Sequence, residues 1–157
     1  MGASRLPPGQ ALTAKFPVVG ERMPAPEALD LGSWSLEVGG RVERPLALSW
    51  PEYQQLPHRE RVADIHCVTG WSRFDGRWTG LPLAELLATA VPLADARYVR
   101  FEAYSPREHD TSLPLDVALA DTWLVHAADG APLTLEHGFP LRTVTPSRYF
   151  YKSLKWL

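Results

Sequence analysis

Residues 66–72, His66-Cys67-Val68-Thr69-Gly70-Trp71-Ser72, hold the chain's single cysteine where a strand-like run meets a glycine turn. Arg61 to Val68 (RVADIHCV) mixes β-branched with polar residues as a strand does, and Thr69-Gly70 stops it. The thiol is therefore expected at a strand's end beside a glycine turn, a position that favours access over packing. One cysteine cannot form an intrachain disulfide or a Cys-rich zinc or iron–sulfur site. Three readings remain: a soft-metal ligand, a nucleophile, or a small buried hydrophobe. In a strand His66 points to the face opposite Cys67, which makes the two neighbours a poor catalytic pair. His66 reads instead as a core residue or as support around the sulfur.

A second informative stretch closes the chain. After Glu136 there is no Asp or Glu, while Arg142, Arg148, Lys152 and Lys155 fall within the last sixteen residues. Gly138 and Ser153 in the same segment permit close approach by a ligand's oxygens. A solvated basic tail is the bland alternative. Phe139, Leu141, Val144, Tyr149, Leu154 and Trp156 interleave with the charges, as in packed structure rather than a free tail.

Between and around these stretches, Pro7, Pro8, Pro17, Pro24 and Pro26 make residues 1–32 an extended arm, because proline fixes φ and withholds an amide donor. Trp34, Leu36 and Val38 alternate with Ser35 and Glu37 before Gly39-Gly40, the pattern of a half-buried strand entering a tight turn, with its partner beginning at Val42. Ser49-Trp50-Pro51-Glu52 is a capping box opening a short helix that ends near Pro57. Leu81, Leu83, Leu86, Leu87 and Val91 recur at helical spacing. Tyr98, Phe101 and Tyr104 belong to a strand, and Trp123 to Ala127 to another that closes at Asp129-Gly130. Short strands mixed irregularly with two or three helices predict an α+β fold, since the regular alternation of a doubly wound sheet is absent.

The chain's 157 residues, 45% hydrophobic, suit a single domain, 1–157. A net charge of -2 supplies no field to gather nucleic acid. The scatter of Trp34, Trp50, Trp71, Trp78, Trp123 and Trp156 favours core packing over a stacking surface, Trp71 excepted. Arg59 and Arg61 read as a solvated loop before the strand. No window reaches the eighteen or so apolar residues of a membrane span, and MGASRLPPGQALTAKF lacks a signal peptide's apolar core. The expectation is a cytoplasmic protein without a membrane span.

The HCVTGWS stretch, the Arg77-Trp78-Thr79-Gly80-Leu81-Pro82-Leu83-Ala84-Glu85-Leu86-Leu87 run, and the closing His137-Gly138-Phe139-Pro140-Leu141-Arg142 with Lys152-Ser153-Leu154-Lys155-Trp156-Leu157, in that order, resemble the sulfite oxidase family. Its small single-domain bacterial members are the nearer likeness. Thr13-Ala14-Lys15-Phe16-Pro17-Val18 is similar to their opening segment and Thr111-Ser112-Leu113-Pro114-Leu115 to their central strand. The resemblance implies a mixed, β-rich molybdopterin-binding fold with a few short helices, and molybdenum held by molybdopterin and by Cys67. It also implies that His137, Arg142, Ser153 and Lys155 contact the pterin or its phosphate, that Thr13 and Lys15 close over it, and that His66, Thr69, Trp71, Ser72 and Thr111 border the site. Asp110 is a weaker candidate of the same kind.

The activity implied is oxygen-atom transfer to or from a small substrate, with electrons exchanged with an external carrier such as a cytochrome or a quinone-linked protein. True sulfite oxidases carry an arginine sooner after the cysteine than Arg73, so sulfite is a doubtful substrate. Reduction of a sulfoxide or N-oxide by the same centre is the main alternative. Further alternatives are a non-catalytic molybdopterin-binding module and a metal-free thiol enzyme pairing Cys67 with His109, His126 or His137.

Overall fold

A computed structural model describes residues 5–19, 22–106 and 109–157; residues 1–4 and 20–21 of the expected arm lie outside them. The strands in chain order are β1 (Ala11–Leu12), β2 (Ser35–Val38), β3 (Leu46–Ser49), β4 (Arg59–His66), β5 (Trp71–Pro82), β6 (Tyr98–Glu102), β7 (Asp110–Pro114), β8 (Trp123–Ala128), β9 (Ala131–Pro132) and β10 (Arg142–Val144). The α-helices are α1 (Trp50–Gln54), α2 (Leu83–Ala90) and α3 (Leu115–Asp121), and single 3-10 turns cover Pro26–Leu29, Leu135–His137 and Phe150–Lys152. This is the mixed, β-rich α+β fold that the sequence implies.

β5 is the spine of the main sheet. Antiparallel β4 flanks it from Arg59↔Gly80 to His66↔Ser72. On its other side β8 pairs antiparallel with residues 78–82, and β1 pairs parallel at Trp71 and Ser72. β10 and β9 extend the sheet beyond β8, while β2–β3 and β6–β7 form separate ribbons. The β5–β8 register shifts between Thr79 and Gly80. A Cβ at Gly80 would stand 1.7 Å from the Leu124 carbonyl oxygen, so only glycine lets the backbones meet there.

Leu124 and Val125 are adjacent on β8, so their side chains leave opposite faces. They belong to different clusters, which gives the main sheet a core on each side. Leu124 joins Trp34, Leu36, Tyr53, Leu81, Phe101, Leu113 and the buried leucines of α2. Val125 joins Ile65, Trp78, Val144 and Phe150, closed over by Phe16, Val19 and Trp71. Each fully buried Leu, Ile or Phe contributes roughly 1.5–3 kcal/mol relative to exposure.

Several expectations are corrected. Val42 makes only an isolated bridge to Pro92, and the partner of β2 begins at Leu46. The capping box forms, with the Ser49 hydroxyl accepting from the Glu52 amide and the Glu52 carboxylate from the Ser49 amide, but α1 ends at Gln54 instead of Pro57. Leu81 belongs to β5, and the helix starts at Leu83. Thr111 to Pro114 lie in the β6–β7 ribbon, outside the main sheet, and Leu115 opens α3.

Candidate cofactor site

Cys67 directly follows β4. Its amide donates to the Trp71 carbonyl (2.8 Å), and the Gly70 amide donates back to the Cys67 carbonyl (3.0 Å). Gly70 sits at φ +100°, which glycine adopts at little cost and which lets the chain reverse within four residues. The side-chain amide of Gln10, beside β1, also donates to the Cys67 carbonyl (3.0 Å). The Cys67 Sγ is 3.0 Å from the Thr69 Oγ1. The expected accessibility of the thiol is corrected: Cys67 is 3% exposed, while Val68 and Thr69 are exposed around it.

His66 takes the opposite face. Its Nδ1 is 2.7 Å from the Ser72 Oγ, which donates to the Gln10 Oε1 at 2.9 Å. A hydroxyl has one proton to give, so Ser72 accepts from a protonated Nδ1. Gln10 thus ties both ends of the turn, a role invisible in sequence because it depends on the parallel pairing of β1.

Antiparallel partners share a face, so Cys67, Ile65, Trp71 and Arg73 stand on one side of the sheet, under Phe16 and Phe150. The closing segment supplies the rest of this wall. His137 lies with its ring centroid 3.8 Å from that of Phe16. Burial and then the Arg142 guanidinium push its pKa down, with Lys155 and Arg73 adding to this and Glu136 opposing it. The Lys155 ammonium donates to the Val19 carbonyl (2.8 Å) and the Glu136 carbonyl (3.1 Å). At Gly138, with φ +111°, a Cβ would come within 3.1 Å of the Cβ atoms of both Arg142 and Lys155, so glycine is what lets these cationic segments close together.

Arg142 is anchored to the backbone behind the wall. It is 1% exposed, and its Nε, Nη1 and Nη2 donate to the carbonyls of Thr143 (3.2 Å), His137 (2.9 Å) and Ser153 (3.0 Å). Burial pulls its pKa down to about 9. The Ser153 hydroxyl accepts from the Thr145 amide at 2.9 Å, a bond that leaves its O–H proton to be donated. Thr13 donates its amide to the Ser72 carbonyl (2.9 Å) and accepts the Lys15 amide on its hydroxyl (3.1 Å), leaving the Lys15 side chain exposed. The structure therefore brings Cys67, Thr69, Trp71 and Thr13 to one end of the wall and gathers His137, Arg142, Ser153 and Lys155 at the closing segment. It sets His66 and Ser72 on the reverse face. Thr111 and Asp110 line a separate small cleft of about 280 Å³ with Arg100, Ser112 and Lys152. A larger groove of about 830 Å³ runs between β2, α2 and β6 and does not include Cys67.

Among the described residues no cluster of three His, Cys, Asp or Glu side chains could hold a metal by itself. A metal at Cys67 has to arrive with most of its ligands. Two donors on the Cys67 face also lack an acceptor although buried, the Trp71 Nε1 and the Arg73 Nη1. A thiol, unfilled donors and a basic wall make up the donor set of a site for a soft metal carried on an anionic organic group.

Residues 22–157 match the oxidoreductase molybdopterin binding domain family. The chain belongs to that family; it is an oxidoreductase domain whose cofactor is molybdopterin carrying molybdenum. It is 44% identical over 156 residues, 99% of this chain and 77% of the relative, to the uncharacterized oxidoreductase YuiH of Bacillus subtilis. It is 34% identical over 146 residues to the protein-methionine-sulfoxide reductase catalytic subunit MsrP of Xanthomonas axonopodis pv. citri, covering 83% of this chain but 45% of that protein. The sulfane dehydrogenase SoxCD of Paracoccus pantotrophus shares the fold, with a TM-score of 0.74 at 23% identity over 82% of this chain and 37% of that one.

Proposed function

We propose that this domain transfers an oxygen atom to or from a small substrate, with Cys67 as the protein's ligand to molybdenum and a separate protein as electron carrier. The observation that carries the reading is the placement of the lone thiol at the end of β4, beside the Thr69 hydroxyl and on the face that holds the basic wall. The chemistry supplied by the bound cofactor is two-electron oxygen exchange, with electrons passed on singly.

The chain's own residues do the positioning. The Gln10 amide and the Trp71 carbonyl hold the Cys67 backbone, fixing where the sulfur points. The Thr69 hydroxyl is within reach to donate to a thiolate, which lowers the electron density the sulfur offers a metal. Burial excludes water and strengthens that bond. Lys155 and His137 present positive charge and an N–H to an anionic group, and Arg142 stiffens the backbone they stand on. Thr13 and Lys15, on the arm that runs beside Ser72, would add polar contacts to the bound cofactor.

The similarity to the methionine-sulfoxide reductase subunits favours reduction of a sulfoxide as the direction. A metal-free thiol enzyme has no support from the geometry, since His109 stands at the β6–β7 ribbon with its carbonyl accepting the Ala103 amide, His126 is bonded to Tyr53, and His137 lies against Phe16. The test is the molybdenum and pterin content per chain of protein made with molybdate, beside Cys67→Ser, and the rates of sulfoxide reduction and sulfite oxidation. Near-stoichiometric pterin in both proteins, with metal lost only from the variant, is the expected result. Pterin-free, folded parent protein from a cofactor-competent host would sink the reading.

A further inference from the structure

We infer that Arg73, clamped by Asp129, is an anion-binding residue of the cofactor wall that takes phosphate oxygens, with the Trp71 indole as a neutral donor beside it. The inference rests on the cofactor reading above only for the source of the phosphate.

Arg73 and Trp71 are two residues apart on β5 and share the face of Cys67. The Arg73 side chain is 14% exposed and is ion-paired through Nη2 to the Asp129 carboxylate. Its Nη1 is buried with no acceptor, and so is the Trp71 Nε1. A buried donor left without an acceptor gives up its hydration with no return, and the cost is larger when the donor is charged. Two on one face of a well-paired sheet are therefore donors held ready for a group that binds between them and the wall.

The fork is held, not loose. Asp129 lies in the left-handed region at φ 52° in the turn after β8. Its Oδ1 accepts the Arg77 amide (3.0 Å), and its own amide donates to the Arg77 carbonyl (2.7 Å). With one oxygen fixed to the backbone, the other can grip only one edge of the guanidinium. Burial works against the Asp129 charge, but the Arg77 amide and Arg73 outweigh it and leave its pKa lowered. On the far side the Phe16 ring lies 5.3 Å from the guanidinium carbon and 3.8 Å from the His137 ring. Arg73 thus joins His137, Lys155 and Arg142 as the fourth member of a wall whose positive charge Asp129 only partly offsets. A guanidinium that keeps one carboxylate and offers its remaining donors to a phosphate can serve both through its planar fork, which an ammonium cannot.

The experiment has two arms, using the full chain as the parent, Arg73→Gln and Arg73→Lys. First, cofactor-free protein is titrated with inorganic phosphate and pyrophosphate, followed by tryptophan fluorescence and calorimetry. Saturable binding by the parent, weakened about tenfold or more in both variants while the melting temperature of Arg73→Lys holds, is expected. No binding by the parent, or equal binding by parent and variants, overturns the anion role. Second, pterin per chain is measured after production with molybdate; loss of pterin in both variants ties the site to the cofactor. Pterin in the parent and equally in the variants overturns that assignment. Absence of pterin from a parent that still binds phosphate through Arg73 would defeat the cofactor reading and leave the anion site standing. If Arg73→Gln fails to fold, Arg73→Lys decides both arms.

Discussion

At the scale of single residues, Arg142 shows how the sequence and the structure assign different duties to one charge. The basic run at the end of the chain marks it as a phosphate ligand, and the fold gives three of the guanidinium's five N–H groups to backbone carbonyls, with the Phe150 ring 4.4 Å away. Two of those carbonyls are those of His137 and Ser153 and the third is that of Thr143 on the same strand, so Arg142 ties the wall together from behind. Arg142→Met preserves much of the volume and removes a desolvated cation, a gain that offsets part of the loss. It also strands three buried acceptors at about 1–3 kcal/mol each. The net expectation is a loss of roughly 2–4 kcal/mol in the unfolding free energy of cofactor-free protein, read from urea denaturation. A variant as stable as the parent would mean that the carbonyls find water instead.

At the scale of elements, the sequence announces those whose signal is local. The capping box of α1 is one: Ser49 and Glu52 make both reciprocal bonds, and Ser49→Ala should cost about 1 kcal/mol by thermal or chemical denaturation. β4 is another, legible from its β-branched run and glycine stop, and with it the position of Cys67. β5 is hidden because three of its five buried positions are Ser72, Gly76 and Gly80, whose small or polar character masks the alternation around Trp78, and because another, Leu81, fits the spacing of the following helix. β10 was hidden by its own arginine, which reads as a ligand while standing in a fully buried strand. The Arg73–Asp129 pair and the Gln10 clamp come from register, β5 against β8 and β1 along β5, which no local pattern encodes. Register is also where β5 is most easily broken. Gly80→Ala places a methyl against the Leu124 carbonyl and forces the two central strands apart, so a loss of roughly 3 kcal/mol is expected. The glycine would be dispensable if that variant unfolded at the parent's denaturant midpoint.

At the scale of the whole molecule, partly buried histidines make the fold sensitive to acid. The core that holds Tyr53 contains a titratable cluster remote from Cys67. The Tyr53 hydroxyl is 2.9 Å from the His126 Nδ1, the His58 and His126 ring centroids are 4.6 Å apart, and the His58 Nε2 is buried without an acceptor. Burial, then the charge of His58, pull the His126 pKa down to about 4, and burial lowers His58 as well. Burial raises the Tyr53 pKa, so the phenol stays protonated and can donate to a neutral Nδ1 or accept from a protonated one. Between pH 6.5 and about 4 the unfolded chain therefore binds protons that the native core refuses. Stability from this cluster is fully present above pH 6.5 and is lost as pH falls through about 4. His137 adds a share of the same sign, its pKa also being lowered by burial and by Arg142. The carboxylates of Asp64, held low by Arg5, of Asp95, held low by Arg41, and of Asp121, held low against burial by Ser147 and then Arg61, act mainly below their ordinary value of 3.8; Glu85, held below its ordinary 4.5 by Arg59, acts at the lower edge of the window but is fully exposed, where solvent screens the pair. His126 is only half-buried, so its contribution is discounted for solvent screening to about 1–2 kcal/mol. Denaturant midpoints of cofactor-free protein at pH 7 and pH 4.5, at fixed ionic strength, should show that loss in the parent. His126→Gln, which keeps a polar partner for Tyr53, should flatten the slope and retain only the part due to His58 and His137. An unchanged slope in His126→Gln would place the acid sensitivity in the basic wall, and a bound phosphate, by raising the His137 pKa, should then diminish it.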